Sequence, residues 1–190
     1  MKVLHAGLPG LILIEPDVHE DVRGQFFEIY HEKKYAAVGI RGPFVQDNFS
    51  HSVRGTVRGL HFQHPNAQGK LVAVFEGDVF DVVVDIRRRS STFGRWYGTD
   101  LSAKNRRQLY IPPGFAHGFC VTSDHAAFVY KCTTFYSPPD EHGILWNDPA
   151  IGIVWPTASP ILSPKDRSYR TLAEMTQGLP VFGEDDGGPS

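Results

Sequence analysis

Cysteine is scarce in this sequence, which has only Cys120 and Cys132 among its 190 residues. Two thiols are too few for a disulfide scaffold or for a zinc site built from cysteines. Both cysteines lie in apolar segments typical of strands, where a free thiol commonly packs as a small hydrophobic side chain. The sequence therefore argues against disulfide-rich folds and against cysteine zinc modules.

Long apolar runs and a strong net charge are also missing. No apolar run approaches the ~20 residues that span a membrane, and the N-terminus has no charged region followed by an apolar signal segment. The formal net charge is -2 and the pI is about 6.5, so no overall basic field attracts nucleic acid or anionic lipid. We expect a soluble, cytoplasmic protein that binds neither, in which local cations hold any anionic ligand.

Short strands dominate the predicted secondary structure. Apolar runs and alternation, punctuated by glycine and proline, predict strands at 11–14, 26–30, 44–48, 57–63, 71–75, 79–86, 92–101, 108–111, 115–122 and 126–136. Helix is predicted only near 31–38 and in a C-terminal segment at about 165–178. We expect one all-β domain over residues 1–182, a cupin-type jelly-roll barrel or sandwich with short peripheral helices, and a disordered tail at 183–190.

Two pairs of these strands read as hairpins. The runs 71–75 and 79–86 are joined by Glu76, Gly77 and Asp78, a typical turn sequence. The runs 115–122 and 126–136 follow each other in the same way. Both faces of 79–86 are largely apolar, which predicts a strand covered on both sides.

Potential chemistry centres on the segment VRGLHFQ at 57–63. It places Arg58 three residues before His61, and Lys70 follows nine residues later. Strict alternation would put Arg58 on the face opposite His61 unless a bulge intervenes. In the strand 44–48, Gln46 and Asn48 share a face, so they either meet solvent or line a ligand site.

A metal-binding cupin is one interpretation. The turn containing Pro112 and Gly114 leads to His117, and a site of about three imidazole or carboxylate ligands could draw on His61, His64, Glu76 and His117. However, Gln63 stands two residues after His61, where the paired ligand would be a second histidine. This departure argues against a metal.

Proton transfer beside a carbonyl is the other interpretation. It requires a base, an acid on the opposite side, and positive charge where the enolate oxygen develops. His61 can serve as the base and Tyr130 as the acid, while Lys70 can meet the oxygen. Asp166 could orient the imidazole, although it could equally cap a helix that begins near Ser168.

Seven segments in order carry a resemblance to a known family. The strings VRGLHFQ, QGKLV, VFDVVVDIR, TFGRW, IPPGFAHGF, ILWNDPAIGIVWP and LSPKD resemble the dTDP-4-dehydrorhamnose 3,5-epimerase family over nearly the whole chain. The resemblance implies a homodimeric cupin-type jelly-roll with no metal or other cofactor. Its substrate would be a dTDP-4-keto-6-deoxyhexose, inverted at C3 and C5.

The resemblance also implies roles for individual residues. His61 would be the general base, with Asp166 as its partner; Lys70 would lie near the C4 carbonyl, and Tyr130 would be the acid. Arg23 and Arg58 match pyrophosphate-binding arginines, and the chain has no glycine-rich phosphate loop to replace them. Further matched positions would line the nucleotide or sugar: Phe26, Glu28, Gln46, Asn48, His117 and Tyr136.

Two alternatives remain open at this point. A relative that epimerises only C3 or only C5 would share nearly every residue, and Tyr130 is the main argument for both steps. A non-catalytic sugar-nucleotide-binding cupin would bind without exchanging carbon-bound protons. The intact set of His61, Asp166 and Tyr130 argues against that second alternative.

Overall fold

The structure is a computed structural model that describes residues 1–175 and 178–183. Its strands are β1 (Lys2–His5), β2 (Ile12–Glu15), β3 (Val18–Asp21), β4 (Gly24–Phe27), β5 (Gln46–Val53), β6 (Val57–Gln63), β7 (Lys70–Glu76), β8 (Asp78–Asp85), β9 (Trp96–Ser102), β10 (Gln108–Ile111), β11 (Phe115–Val121), β12 (His125–Cys132) and β13 (Glu141–Gly143). The helices are α1 (Glu32–Ala37), α2 (Pro164–Ser168) and the 3₁₀ turns Pro138–Asp140 and Leu172–Glu174.

Two antiparallel sheets form the body of the molecule. The larger has the order β1-β2-β10-β7-β12-β5, and the smaller has the order β13-β6-β11-β8-β9; β3 and β4 form a separate hairpin. The main core cluster joins both sheets, since it contains Val72 and Phe128 of the larger and Val83 and Phe119 of the smaller. The predicted all-β jelly-roll is therefore confirmed.

Both predicted hairpins are wrong in their pairing. Strand β7 pairs with β10 and β12, whereas β8 pairs with β9 and β11, so the turn at Gly77 carries the chain from one sheet to the other. Gly77 has φ +72°, and a Cβ there would lie 2.0 Å from the carbonyl oxygen of His125. Strands β11 and β12 also belong to different sheets. Alternation identifies the buried face of a strand but not its neighbour, which a jelly-roll takes from distant sequence.

The C-terminal segment differs from the single helix predicted at about 165–178. Helix α2 ends at Ser168, the backbone is extended at Tyr169, and one 3₁₀ turn follows at Leu172–Glu174. Ser163 is the N-cap of α2, because its hydroxyl accepts a hydrogen bond from the Asp166 amide at 3.0 Å. The capping role considered for Asp166 is therefore wrong.

Residues 176–177 of the predicted helix and 184–190 of the predicted tail lie outside the described residues. Within the described part of the chain, the longest helix has six residues, and no helix is long and apolar enough to cross a bilayer.

Candidate active site

A bulge in β6 places Arg58 and His61 on the same face of the smaller sheet. In the pairing with β11, Arg58 lies opposite Phe119 and His61 opposite His117, so β6 contributes one extra residue. Gly59 within the bulge has φ +121°, and a Cβ there would lie 2.5 Å from Cα of Gly118. Only glycine tolerates both the conformation and this close approach. The bulge therefore brings the cation and the potential base into one cavity.

That cavity, of about 440 Å³, opens between the two sheets and is within the usual size of a small-molecule site. The larger sheet contributes Lys70 from β7 and Tyr130 from β12; the smaller contributes His61. Eight of the predicted site residues line it: Gln46, Asn48, Arg58, His61, Lys70, His117, Tyr130 and Tyr136. A base and an acid thus face one space from opposite walls.

His61 is held by a buried carboxylate. Its Nε2 lies 2.6 Å from Oδ1 of Asp166, which is 4% exposed. Burial opposes ionisation of Asp166, but the hydrogen bond and charge of His61 outweigh burial and hold its pKa below the usual range. Since Asp166 is the one buried residue of α2, the short helix fixes the orientation of the imidazole. The other ring nitrogen is left for a substrate.

Lys70 and Tyr130 form a second group on the opposite wall. The Lys70 ammonium lies 5.9 Å from the centroid of the Tyr130 ring. Burial lowers the pKa of Lys70, against the opposing charges of Cys132, Glu141 and Asp81. Burial raises the pKa of Tyr130, so its phenol stays protonated and can donate. The arrangement offers a cation for an oxyanion and a proton donor beside it.

Comparison with known proteins supplies the observation that decides the family. The profile described as dTDP-4-dehydrorhamnose 3,5-epimerase matches residues 5–174. The chain belongs to this epimerase family. A dTDP-4-dehydrorhamnose 3,5-epimerase of Shigella flexneri is 55% identical over 168 residues, 87% of this chain and 93% of the relative.

Solved and curated relatives of the epimerase family extend the comparison. The dTDP-6-deoxy-D-glucose-3,5-epimerase of Legionella pneumophila, in complex with dTDP-4-keto-L-rhamnose, has a TM-score of 0.93 at 47% identity and covers 95% of this chain and 98% of its own. A dTDP-4-dehydrorhamnose 3-epimerase of Streptomyces niveus is 44% identical, over 96% of this chain and 90% of the relative. Isomerase chemistry on dTDP-sugars is thus the family's activity, with one-site and two-site enzymes both among the relatives.

Sequence reasoning missed two acids beside this cavity. Asp81 is fully buried, and its Oδ2 lies 2.9 Å from Nε2 of His117. Burial raises the pKa of Asp81, against the lowering effect of His117 and Lys70. Glu141 lines the cavity and accepts a hydrogen bond from the Tyr136 hydroxyl at 2.6 Å. An aspartate in the middle of the largely apolar strand β8 was the available signal for Asp81; Glu141 gave none.

Three predicted residues lie away from the cavity of the same chain. Arg23 and Phe26 belong to the hairpin of β3 and β4, where Arg23 pairs with Asp21 at 3.0 Å and Phe26 is 72% exposed. Glu28 follows the hairpin and pairs with Lys34 at 3.0 Å. The single chain therefore does not bring these residues to His61.

The four ligands of the metal-cupin alternative are also separated. His61 and His117 line the cavity, whereas Glu76 lies beside His51 and His125 at the exposed end of β7. Among the residues that the structure describes, the four do not converge on one point.

Proposed function

We propose that the chain converts dTDP-4-dehydro-6-deoxy-D-glucose to dTDP-4-dehydro-L-rhamnose by inverting C3 and C5. The C4 carbonyl acidifies the hydrogens on both neighbouring carbons, so one base and one enolate-stabilising cation can serve both positions. Inversion requires removal of a proton from one face and return of a proton to the other. The observation that carries the proposal is that His61 and Tyr130 face one cavity from opposite sheets.

In this proposal each residue has a defined part. His61 removes the proton from carbon, and ionised Asp166 stabilises the imidazolium that forms. Lys70 donates to the C4 oxygen as it becomes an enolate, an interaction that strengthens with the developing charge. Tyr130 then supplies the proton on the opposite face. After the first inversion the sugar ring reorients, and the same groups act on the second carbon.

The remaining cavity residues are proposed to bind the nucleotide and the sugar. Arg58 is the cation for the pyrophosphate, because its Nε–H donates to the Ser52 hydroxyl at 3.1 Å and the guanidinium is thereby fixed. Polar side chains around it can orient the remaining groups: Gln46, Asn48, His117 and Tyr136. No cofactor is required by this chemistry.

We further propose a homodimer in which the hairpin of β3 and β4 completes the cavity of the second chain. Val22 at its tip is fully exposed and Phe26 is largely exposed, as is Phe49 of β5. Such apolar side chains favour burial in an interface. The arrangement would bring Arg23, Phe26 and Glu28 to the nucleotide. We propose a cytoplasmic location, supported by two free, buried cysteines.

Mixed dimers test this proposal. We expect His61→Asn and Arg23→Ala proteins to be impaired separately, and to regain activity when they are unfolded together and refolded as a mixture. If the hairpin acts across the dimer, the mixed dimer has one site with both defects and one intact site. A mixture of His61→Asn with Asp166→Asn, two residues of the same site, is the matched control and should regain nothing. Absence of recovery in the first mixture, with mixed dimers demonstrated by mass spectrometry, would contradict hairpin exchange.

The reaction itself is tested with dTDP-4-keto-6-deoxyglucose in deuterated water. We expect NMR of the product to show deuterium at both C3 and C5, with the same rate before and after treatment with a chelator. Deuterium at one carbon alone would establish a one-site epimerase, as in the Streptomyces niveus relative. Binding without exchange at either carbon would establish a non-catalytic sugar-nucleotide-binding protein.

A further inference from the structure

Two histidines and a glutamate cluster on the larger sheet, away from the epimerase cavity. His51, Glu76 and His125 lie on β5, β7 and β12, and their potential ligand atoms all lie within 4.8 Å of one another. Each side chain is about half exposed. His125 Nε2 lies 2.8 Å from one oxygen of Glu76, and His51 Nε2 lies 4.0 Å from the other. Both imidazoles therefore face the same carboxylate.

The sheet register fixes this juxtaposition. Ala127 of β12 pairs with His51 on one side and Glu76 on the other, so His51, Ala127 and Glu76 form a row across the sheet. His125 precedes Ala127 by two residues and shares its face. The pairing of β7 with β12 passes over Phe75, and this bulge turns Glu76 outward although Lys70 of the same strand points into the cavity.

The turn after β7 holds Glu76 close to His125. Gly77 approaches the His125 carbonyl more closely than any side chain would permit. The Ser123 hydroxyl donates to the same carbonyl at 2.6 Å and accepts from the Asp78 amide at 2.7 Å. These bonds anchor the beginning of β12 to the end of β7, so the backbone of the cluster is organised before any ligand arrives.

We propose that His51, Glu76 and His125 bind a divalent transition-metal ion, of which zinc is the representative. Two neutral imidazoles and one carboxylate form a ligand set suited to zinc, nickel, copper or cobalt. Ligand bonds of roughly 2.0–2.2 Å require the side chains to close on the ion, which their exposure allows. Three protein ligands leave a position for water, so the site is open rather than a closed structural one.

The site is separate from the epimerase chemistry. On β5, Ser50 lines the catalytic cavity and Ser52 holds Arg58, whereas His51 between them points to the other face. The ion would link three adjacent strands of the larger sheet from outside. Its expected effect is therefore on the stability of the sheet, because a ligand that binds only the folded state raises the melting temperature.

Titration calorimetry of the untagged, full-length protein with zinc chloride tests the site. We expect one zinc ion per chain and at least a tenfold loss of affinity in His51→Ala, His125→Ala and Glu76→Gln. His31→Ala removes an exposed histidine elsewhere and is the matched control that should bind as the wild type does. Zinc should also raise the melting temperature of the wild type and the control but not of the three variants.

The same titration of the His61→Asn protein locates the ion. We expect this variant to bind zinc as the wild type does, because the ion lies outside the cavity, and we expect His51→Ala to retain full epimerase activity. Loss of zinc binding in His61→Asn would place the ion in the cavity and overturn the proposal. Absence of saturable binding, or equal affinity in the wild type and all three variants, would overturn it as well.

Discussion

Replacing His61 by asparagine is expected to lower kcat/KM by about 10²- to 10⁴-fold, the usual contribution of a positioned general base. The asparagine side chain can still occupy the space beside Asp166, but it cannot take a proton from carbon. Binding of dTDP should change little, because the nucleotide is assigned to other residues. The measurement is the initial rate of the coupled epimerase assay together with deuterium exchange at C3 and C5.

The control for His61→Asn must be chosen with the structure in view. Gln63 on the same strand is unsuitable, because it is buried, its amide donates to the Phe135 carbonyl and its side-chain oxygen accepts from the Ser137 amide. His31→Asn, on an exposed residue before α1, should retain wild-type rates. Equal deuterium exchange at C3 in wild type and His61→Asn would remove His61 from the role of base.

Replacing Lys70 by methionine is expected to have opposite effects on activity and stability. Loss of one oxyanion donor typically costs about 10²- to 10³-fold in kcat. Burial disfavours the charged ammonium, so the pKa of Lys70 is lower in the folded than in the unfolded chain. The unfolded state then binds more protons, and the free energy of unfolding rises with pH between the folded-state pKa and the ordinary value near 10.5.

Methionine removes the unfavourable burial of a charged ammonium and fills a similar space. The Lys70→Met protein should therefore melt at a higher temperature than the wild type, and the difference should shrink as the pH rises toward 10.5. Lys104→Met, at an exposed turn, should change neither activity nor this pH dependence. Full activity of Lys70→Met would show that the ammonium is not used in the reaction. A lower melting temperature at every pH would show that the buried ammonium does not destabilise the fold.

Much of the site could be predicted because side chains on the larger sheet follow simple alternation. Gln46 and Asn48 share a face of β5, and both line the cavity as one of the two interpretations required. Arg58 and His61 could not be placed in this way, since the bulge at Gly59 depends on contact with Gly118 of another strand. The pairing of β7 with β12 rather than β8 depends equally on distant partners.

Other features depend on packing that no local pattern encodes. Asp166 lies in the first turn of α2, where its side chain was as consistent with capping as with support of His61. Only the approach of α2 to β6 separates the two roles. The position of Arg23 and Phe26 on an exposed hairpin is a similar case, because a match in sequence identifies a candidate site residue but not its distance from the cavity.

Between the two walls of the cavity lies a pair of stacked aromatic rings. Phe119 of β11 and Phe128 of β12 have centroids 4.2 Å apart and planes inclined by 14°, and both line the cavity. Since β11 pairs with β6, which carries His61, and β12 carries Tyr130, this stack separates the two residues that the proposed reaction requires on opposite sides of the sugar. In the proposed reaction, the distance between the base and the acid therefore depends on the thickness of two packed aromatic rings. Replacing either ring by a smaller side chain is expected to slow proton transfer without altering any group that carries a proton.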